Sequence, residues 1–107
     1  MKCMFLTCSS LKELNLSSFN TSNVIDMGSM FSGCSALKEL NLSNFNTSKV
    51  KDMNHMFSEC SSLKEINLSS FDTSNVANMT RMFGDCSEEL INEIKDKFKN
   101  INERAFY

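Results

Sequence analysis

Apolar and polar residues alternate from Leu11 to Ser17: Leu14 and Leu16 fall on one side, Glu13, Asn15 and Ser17 on the other. That period of two predicts a short β-strand. Phe19 then precedes Asn20, Thr21 and Ser22, residue types that favour helix N-caps and turns. Val24, Met27, Met30 and Phe31 follow at spacings of three, three and one, which predicts one apolar face of about two helical turns. Cys34 and Leu37 bring the chain to a second alternating stretch, Leu37 to Ser43.

The whole pattern returns every 26 residues. Phe5, Phe31, Phe57 and Phe83 share one position, and Met4, Met30, Met56 and Met82 share another. Cys8, Cys34, Cys60 and Cys86 form a third set, and Phe19, Phe45 and Phe71 a fourth. Polar positions repeat as faithfully: Lys12-Glu13, Lys38-Glu39 and Lys64-Glu65, then Asn15, Asn41 and Asn67. A period in this range predicts a repeat architecture in which each unit buries its apolar face against the next. The expected fold is an α/β right-handed solenoid, with short parallel strands on one face and short helices on the other. Residues 1–86 are expected to hold the repeats, as a partial first unit followed by units at about 4–29, 30–55 and 56–81. Met1 to Phe5 stands in register with Met27 to Phe31, so the chain opens inside a unit, as a stretch of a longer array would. That end carries no cap of its own and is an expected point of end-to-end self-association.

After Cys86 the register breaks at Ser87-Glu88-Glu89-Leu90-Ile91. Leu90, Ile91, Ile94, Phe98 and Ile101 fall on one helical face, so residues 87–107 are predicted to form a C-terminal capping helix. Ser87 is the expected N-cap, Glu88 and Glu89 occupy the first turn, and Lys95, Lys97 and Lys99 follow nearer the negative end of the dipole. Glu93 and Lys97 stand four apart in the favourable order.

The Leu-x-x-Leu-x-Leu spacing of Leu11, Leu14 and Leu16 is that of leucine-rich repeats. More narrowly, the run from Met30-Phe31-Ser32-Gly33-Cys34 through Phe45-Asn46-Thr47-Ser48 resembles the BspA-like leucine-rich repeat, and the resemblance extends from Met1 to about Cys86. It implies a non-catalytic surface or secreted protein that adheres to host or matrix proteins, at the cell surface or outside the cell. No export signal is expected here: the apolar stretch before Cys8 is shorter than the ~7–15 residues of a signal h-region.

Composition narrows the function. The 107 residues are 41% hydrophobic and 22% charged, with 11 Lys and Arg against 13 Asp and Glu. A formal charge of −2 argues against nucleic acid, which demands excess cations. No apolar run approaches the ~18 residues of a membrane span, so no membrane insertion is expected. Eight Met and nine Phe are the core pattern copied several times over.

No catalytic residue, metal ligand or cofactor is assigned. Four of the five cysteines occupy one repeated position with no Cys-x-x-Cys, which predicts a column of buried thiols. Cys3 lies off that column and is expected to be exposed. His55 shares its position with Ser29 and Arg81, so it is not part of a singular constellation. What remains is the polar side of the strands. Glu13, Glu39 and Glu65 form an expected acidic column relieved by Lys12, Lys38 and Lys64. Asn15, Asn41 and Asn67 form an amide column bonded along the stack, completed by Ser17, Ser43 and Ser69. These nine residues are the candidate partner-binding surface of a protein–protein interaction module, the alternative being a structural spacer with no ligand.

Overall fold

The computed structural model describes residues 2–98 and 101–107. Extended backbone regular enough to form strands is confined to two triplets, β1 (Glu39–Asn41) and β2 (Glu65–Asn67). They pair in parallel with Glu39 opposite Glu65, Leu40 opposite Ile66 and Asn41 opposite Asn67. The strands are short because each is pinched by turns. Leu37 N–H donates to Cys34 O just before β1, and Asn41 Oδ1 accepts from Ser43 N–H just after it. Asn67 closes β2 in the same way on Ser69 N–H, at 3.0 Å.

The expected helices over Val24–Phe31 and its equivalents are absent; those segments are turns. Ser29, His55 and Arg81 have φ of 55°, 56° and 52°, and Gly33, Glu59 and Asp85 have 78°, 62° and 59°. A left-handed residue every fourth position cannot continue an α-helix. Instead, alternate N–H groups reach across to the next copy. Met27, Ser29, Phe31 and Gly33 donate to the carbonyls of Asp52, Asn54, Met56 and Ser58 at 2.8–2.9 Å. Met53, His55, Phe57 and Glu59 repeat this on Asn78, Thr80, Met82 and Gly84 at 2.8–2.9 Å. The intervening N–H groups of Met30, Ser32 and Cys34 fold back on the carbonyls three residues earlier.

The expected solenoid of strands on one face and helices on the other is therefore overturned. Among the described residues there is one two-stranded sheet and one α-helix, in a small compact body of 30 × 29 × 20 Å. Equivalent positions still meet in its interior. Phe5, Phe31, Phe57 and Phe83 stack with centroids 5.5, 5.7 and 5.2 Å apart, and Met27, Met30, Met53, Met56 and Met82 are fully buried beside them. Thr21 and Thr47 are buried polar residues satisfied as clamps. Thr47 Oγ1 donates to Asp72 O at 2.9 Å and accepts from Asp72 N–H at 2.8 Å, and Thr21 does the same with Asn46.

The α-helix, α1, spans Glu88–Lys97. Ser87 caps it by accepting from Leu90 N–H, Leu90, Ile91 and Ile94 are buried, and Lys97 pairs with Glu93 at 2.8 Å. It stops short of the expected 107, with Phe98 at φ −123°; Lys99, assigned above to the helix end, and Met1, assigned to the repeat register, lie outside the described residues. The chain then returns as a tail. A 3-10 turn at Glu103–Ala105 sets Phe106 on Phe83 at 5.9 Å, and Arg81 and Phe83 N–H donate to Arg104 O and Ala105 O, both at 2.7 Å. Lys95 Nζ fastens the tail by donating to Tyr107 Oη at 3.1 Å and lying 5.1 Å over the Phe106 ring.

Two substitutions check this account by urea denaturation. Leu40→Ala should cost ~2–5 kcal/mol as a buried truncation, and Asn41→Ala only ~0.5–1.5 kcal/mol for one exposed hydrogen bond. Glu59→Gly should stabilise by up to about 1 kcal/mol, since relief of left-handed strain exceeds the added freedom of the unfolded chain.

Candidate functional site

An open groove of about 1140 Å³ runs beside the short sheet. Glu13, Asn15, Glu39, Asn41, Glu65, Asn67 and Ser69 line it, seven of the nine candidate residues; Ser17 and Ser43 lie outside its lining. Apolar contributions come from Leu14, Leu40, Ile66 and Leu68, and Glu93, Lys97 and Phe98 at the end of α1 form a wall. The last three were missed by sequence reasoning as groove residues. Their i,i+4 pair was readable, but their place beside β2 depends on how α1 packs.

The Asn column does not bond along the stack as expected. Asn15, Asn41 and Asn67 each turn Oδ1 onto the N–H two residues on, at 2.9–3.0 Å, which fixes the chain where it leaves the strand. These oxygens are spent on local structure. The same device recurs at Asn20, Asn46 and Asp72, and there Ser22, Ser48 and Ser74 add a side-chain donor. The Ser74 hydroxyl and N–H hold the Asp72 carboxyl below its ordinary range.

The glutamates differ. Glu13, Glu39 and Glu65 are exposed, and Glu39 sits directly opposite Glu65 in register. Like charges so placed cost ~0.2–1 kcal/mol. Among the described residues the only ion pairs are Arg81–Asp85 and Glu93–Lys97, so Lys12, Lys38 and Lys64 do not close on the glutamates. With Glu93 the groove holds four carboxylates against the single ammonium of Lys97, which Glu93 already binds.

The thiol column is chemically quiet. Cys34, Cys60 and Cys86 are buried, and each Sγ donates to the carbonyl of the preceding copy's phenylalanine, at 3.2, 3.1 and 3.1 Å. Burial, with the neighbouring Cys8, pushes Cys34 up; burial and the flanking thiols push Cys60 up strongly; burial raises Cys86 from 9.0 to about 11. The nucleophilic and metal-binding form of these groups is thereby suppressed. Cys3 is exposed, off the column, at φ 59°. His55 is half-buried in a turn, with its Nδ1 3.3 Å from Asn54 Nδ2. No group of three metal-ligating side chains converges among the described residues, and no helix there is long and apolar enough to cross a membrane.

One family model, DUF285, described as a Mycoplasma protein of unknown function, matches residues 1–104. The chain belongs to this family. No curated protein and no solved structure matches it. The DUF285 match spans the turn ladder, the groove and α1 as one piece.

Two outcomes follow for the thiols. Mass spectrometry after brief native alkylation should find Cys3 labelled first, and Cys34, Cys60 and Cys86 labelled only on unfolding. Folding keeps the Cys86 thiol neutral, whereas in the unfolded chain it ionises near 9.0, so its contribution is complete below that pH. Stability measured by urea titration should therefore fall as the pH rises from about 9 towards about 11.

Proposed function

We propose that this chain is a non-catalytic protein–protein interaction module whose partner docks in the groove beside the short sheet. One observation carries the reading: of the polar residues repeated in every unit, the Glu13, Glu39 and Glu65 carboxylates line the groove and take part in neither ion pair found among the described residues. The Asn, Thr and Cys side chains of the unit are spent on turns, clamps and buried thiol bonds. A charged row kept solvated beside Leu40, Ile66 and Phe98 is the mixed polar and apolar make-up of a recognition surface. The row also selects by charge: it favours a partner that presents Lys or Arg and repels an acidic one.

The resemblance to BspA-like repeats supports a more specific assignment, adhesion to a host or matrix protein within a surface repeat array. It is tested by immobilising the full chain and measuring the binding of host cells and of a panel of extracellular-matrix proteins. Glu39→Lys with Glu65→Lys should weaken binding about tenfold or more, whereas Asp96→Lys, outside the groove, should leave it unchanged. Circular dichroism verifies that each variant is folded. Equal binding by the groove variant and the parent, or no binding by the parent, would leave the chain a structural spacer.

A further inference from the structure

Within the chain, each repeat covers the edge of the one before it with a single extended segment. On the second repeat, Thr47 Oγ1 holds Asp72 through its N–H and carbonyl, and Ser48 O accepts from Asn75 Nδ2. Lys51 O accepts from Ala77 N–H, and Met53 N–H donates to Asn78 O. On the first repeat, Thr21, Ile25 and Met27 hold Asn46, Lys51 and Asp52 in the same way. Parallel bridges from Asp26 to Asp52 and from Asp52 to Asn78 set the register.

The third repeat has the same edge without such a segment. The register breaks at Ser87, so α1 and the tail come next, and the tail carbonyls bind only Arg81 and Phe83 N–H on that repeat. Thr73 Oγ1, Ser74 O, Ala77 O and Met79 N–H have no partner among the described residues; they are the equivalents of Thr47 Oγ1, Ser48 O, Lys51 O and Met53 N–H. Phe45, Thr47, Val50 and Met53 are buried, whereas Phe71, Thr73, Val76 and Met79 are only half-buried. These four form one side of a second groove of about 770 Å³, and Phe98, Ile101 and Arg104 contribute to the rest of its lining. A slot lined by both the repeat edge and the tail admits one extended segment, not a folded body of 30 × 29 × 20 Å like this chain. Its charges favour an acidic occupant. The line of Asp26 and Asp52 continues as the uncharged Asn78, and Arg104 lines the same groove in no ion pair among the described residues. The groove's one carboxylate, Asp72, already accepts the Ser74 N–H and hydroxyl.

We propose that the edge from Phe71 to Met79 binds an extended segment of a separate protein, laid parallel to the third repeat, with an apolar side chain beside Phe71 and a carboxylate beside Asn78 and Arg104. Main-chain bonds supply the affinity of such strand addition, and the side chains supply the selectivity. One peptide unit of the segment sits on the Thr73 hydroxyl, a second N–H reaches Ala77 O, and a carbonyl takes the Met79 N–H. The site is separate from the glutamate groove, with which it shares only Lys97 and Phe98, and its charge preference is the opposite one.

The probe is a fluorescein-labelled synthetic peptide of residues 18–27, whose Asn20, Asn23, Ile25 and Asp26 are the equivalents of Asp72, Asn75, Ala77 and Asn78. Its anisotropy, titrated with the full chain, should show saturable binding. Thr73→Val and Arg104→Glu in the chain should each weaken that binding about tenfold, with circular dichroism verifying the fold. A peptide N-methylated at Asn20 and Ile25 lacks two donors and should bind at least tenfold more weakly; this arm needs no variant of the chain to fold. Hydrogen exchange of the Met79 amide should slow about tenfold at nine-tenths occupancy. No saturable binding up to about 1 mM chain overturns the proposal, as does equal binding by the N-methylated peptide or unchanged Met79 exchange at saturation. Displacement of the probe by excess unlabelled chain would make the occupant a second copy and overturn it as well.

Discussion

The ladder of hydrogen bonds between equivalent turns is the constraint on which the rest of the molecule depends. Every buried N–H needs an acceptor, and here alternate N–H groups find theirs 25 residues along the chain instead of four residues back. Aiming them there requires a left-handed backbone twice in each copy, at Cys3 and Thr7, Ser29 and Gly33, His55 and Glu59, Arg81 and Asp85. Only one of these eight positions is glycine, so the chain accepts the strain of seven side chains in the left-handed region to keep the ladder. Once the ladder is set, equivalent side chains superimpose. Phenylalanines stack on phenylalanines at 5.2–5.7 Å, and the methionines fill the space beside them. Met suits this task because an unbranched thioether fills irregular gaps between rings.

The same geometry sorts the polar residues by use. Asn41 and Asp72 form turns, Thr47 clamps two copies through one hydroxyl, and Cys60 satisfies a buried carbonyl of Phe31. No buried side-chain N or O among the described residues is left without a partner. Lys38, Glu39, Lys64 and Glu65 stand apart from this scheme, being exposed and in no ion pair among the described residues. Structure gains nothing from the facing Glu39 and Glu65 carboxylates, and their mutual repulsion is a small cost. A repeated feature that the fold does not use draws attention outward, which is why the groove and not the thiol column bears the functional reading.

Sequence periodicity captured the positions and misjudged their conformation. The 26-residue shift brought Phe31 to Phe57 and Cys34 to Cys60 before any coordinates, and the break after Cys86 marked the start of α1 within one residue. The spacing of Val24, Met27, Met30 and Phe31 imitates a helical face, and Met27, Met30 and Phe31 do come inward, but on a turn ladder bonded to the next copy and not on a helix. Nothing in Ser29 or His55 announces a positive φ; only Gly33 hinted at it. Strands were expected over seven residues and occupy three, since the asparagines assigned to an intermolecular-style amide ladder instead close turns on Ser43 and Ser69. Among the candidate residues Glu39 and Glu65 face each other in register, and Glu13 lines the same groove. Glu93, Lys97 and Phe98 could not be placed there from sequence, because tertiary packing alone decides what a helix faces.

The last turn of the ladder is closed for a physical reason. A buried N–H has one hydrogen to give, and leaving it unpaired is rarer in native proteins than leaving a carbonyl with a lone pair to spare. The donor end is the one that the tail closes, through Arg104 O and Ala105 O, with Phe106 continuing the ring stack and Lys95 anchoring Tyr107. The closure is an imitation: two carbonyls in place of four, carried by a 3-10 turn whose sequence shares nothing with the Met-Phe-x-x-Cys pattern except the phenylalanine that follows it. Closure of the last turn thus follows from the chemistry of the peptide group: the groups that the tail serves are donors that the turn ladder would leave without acceptors.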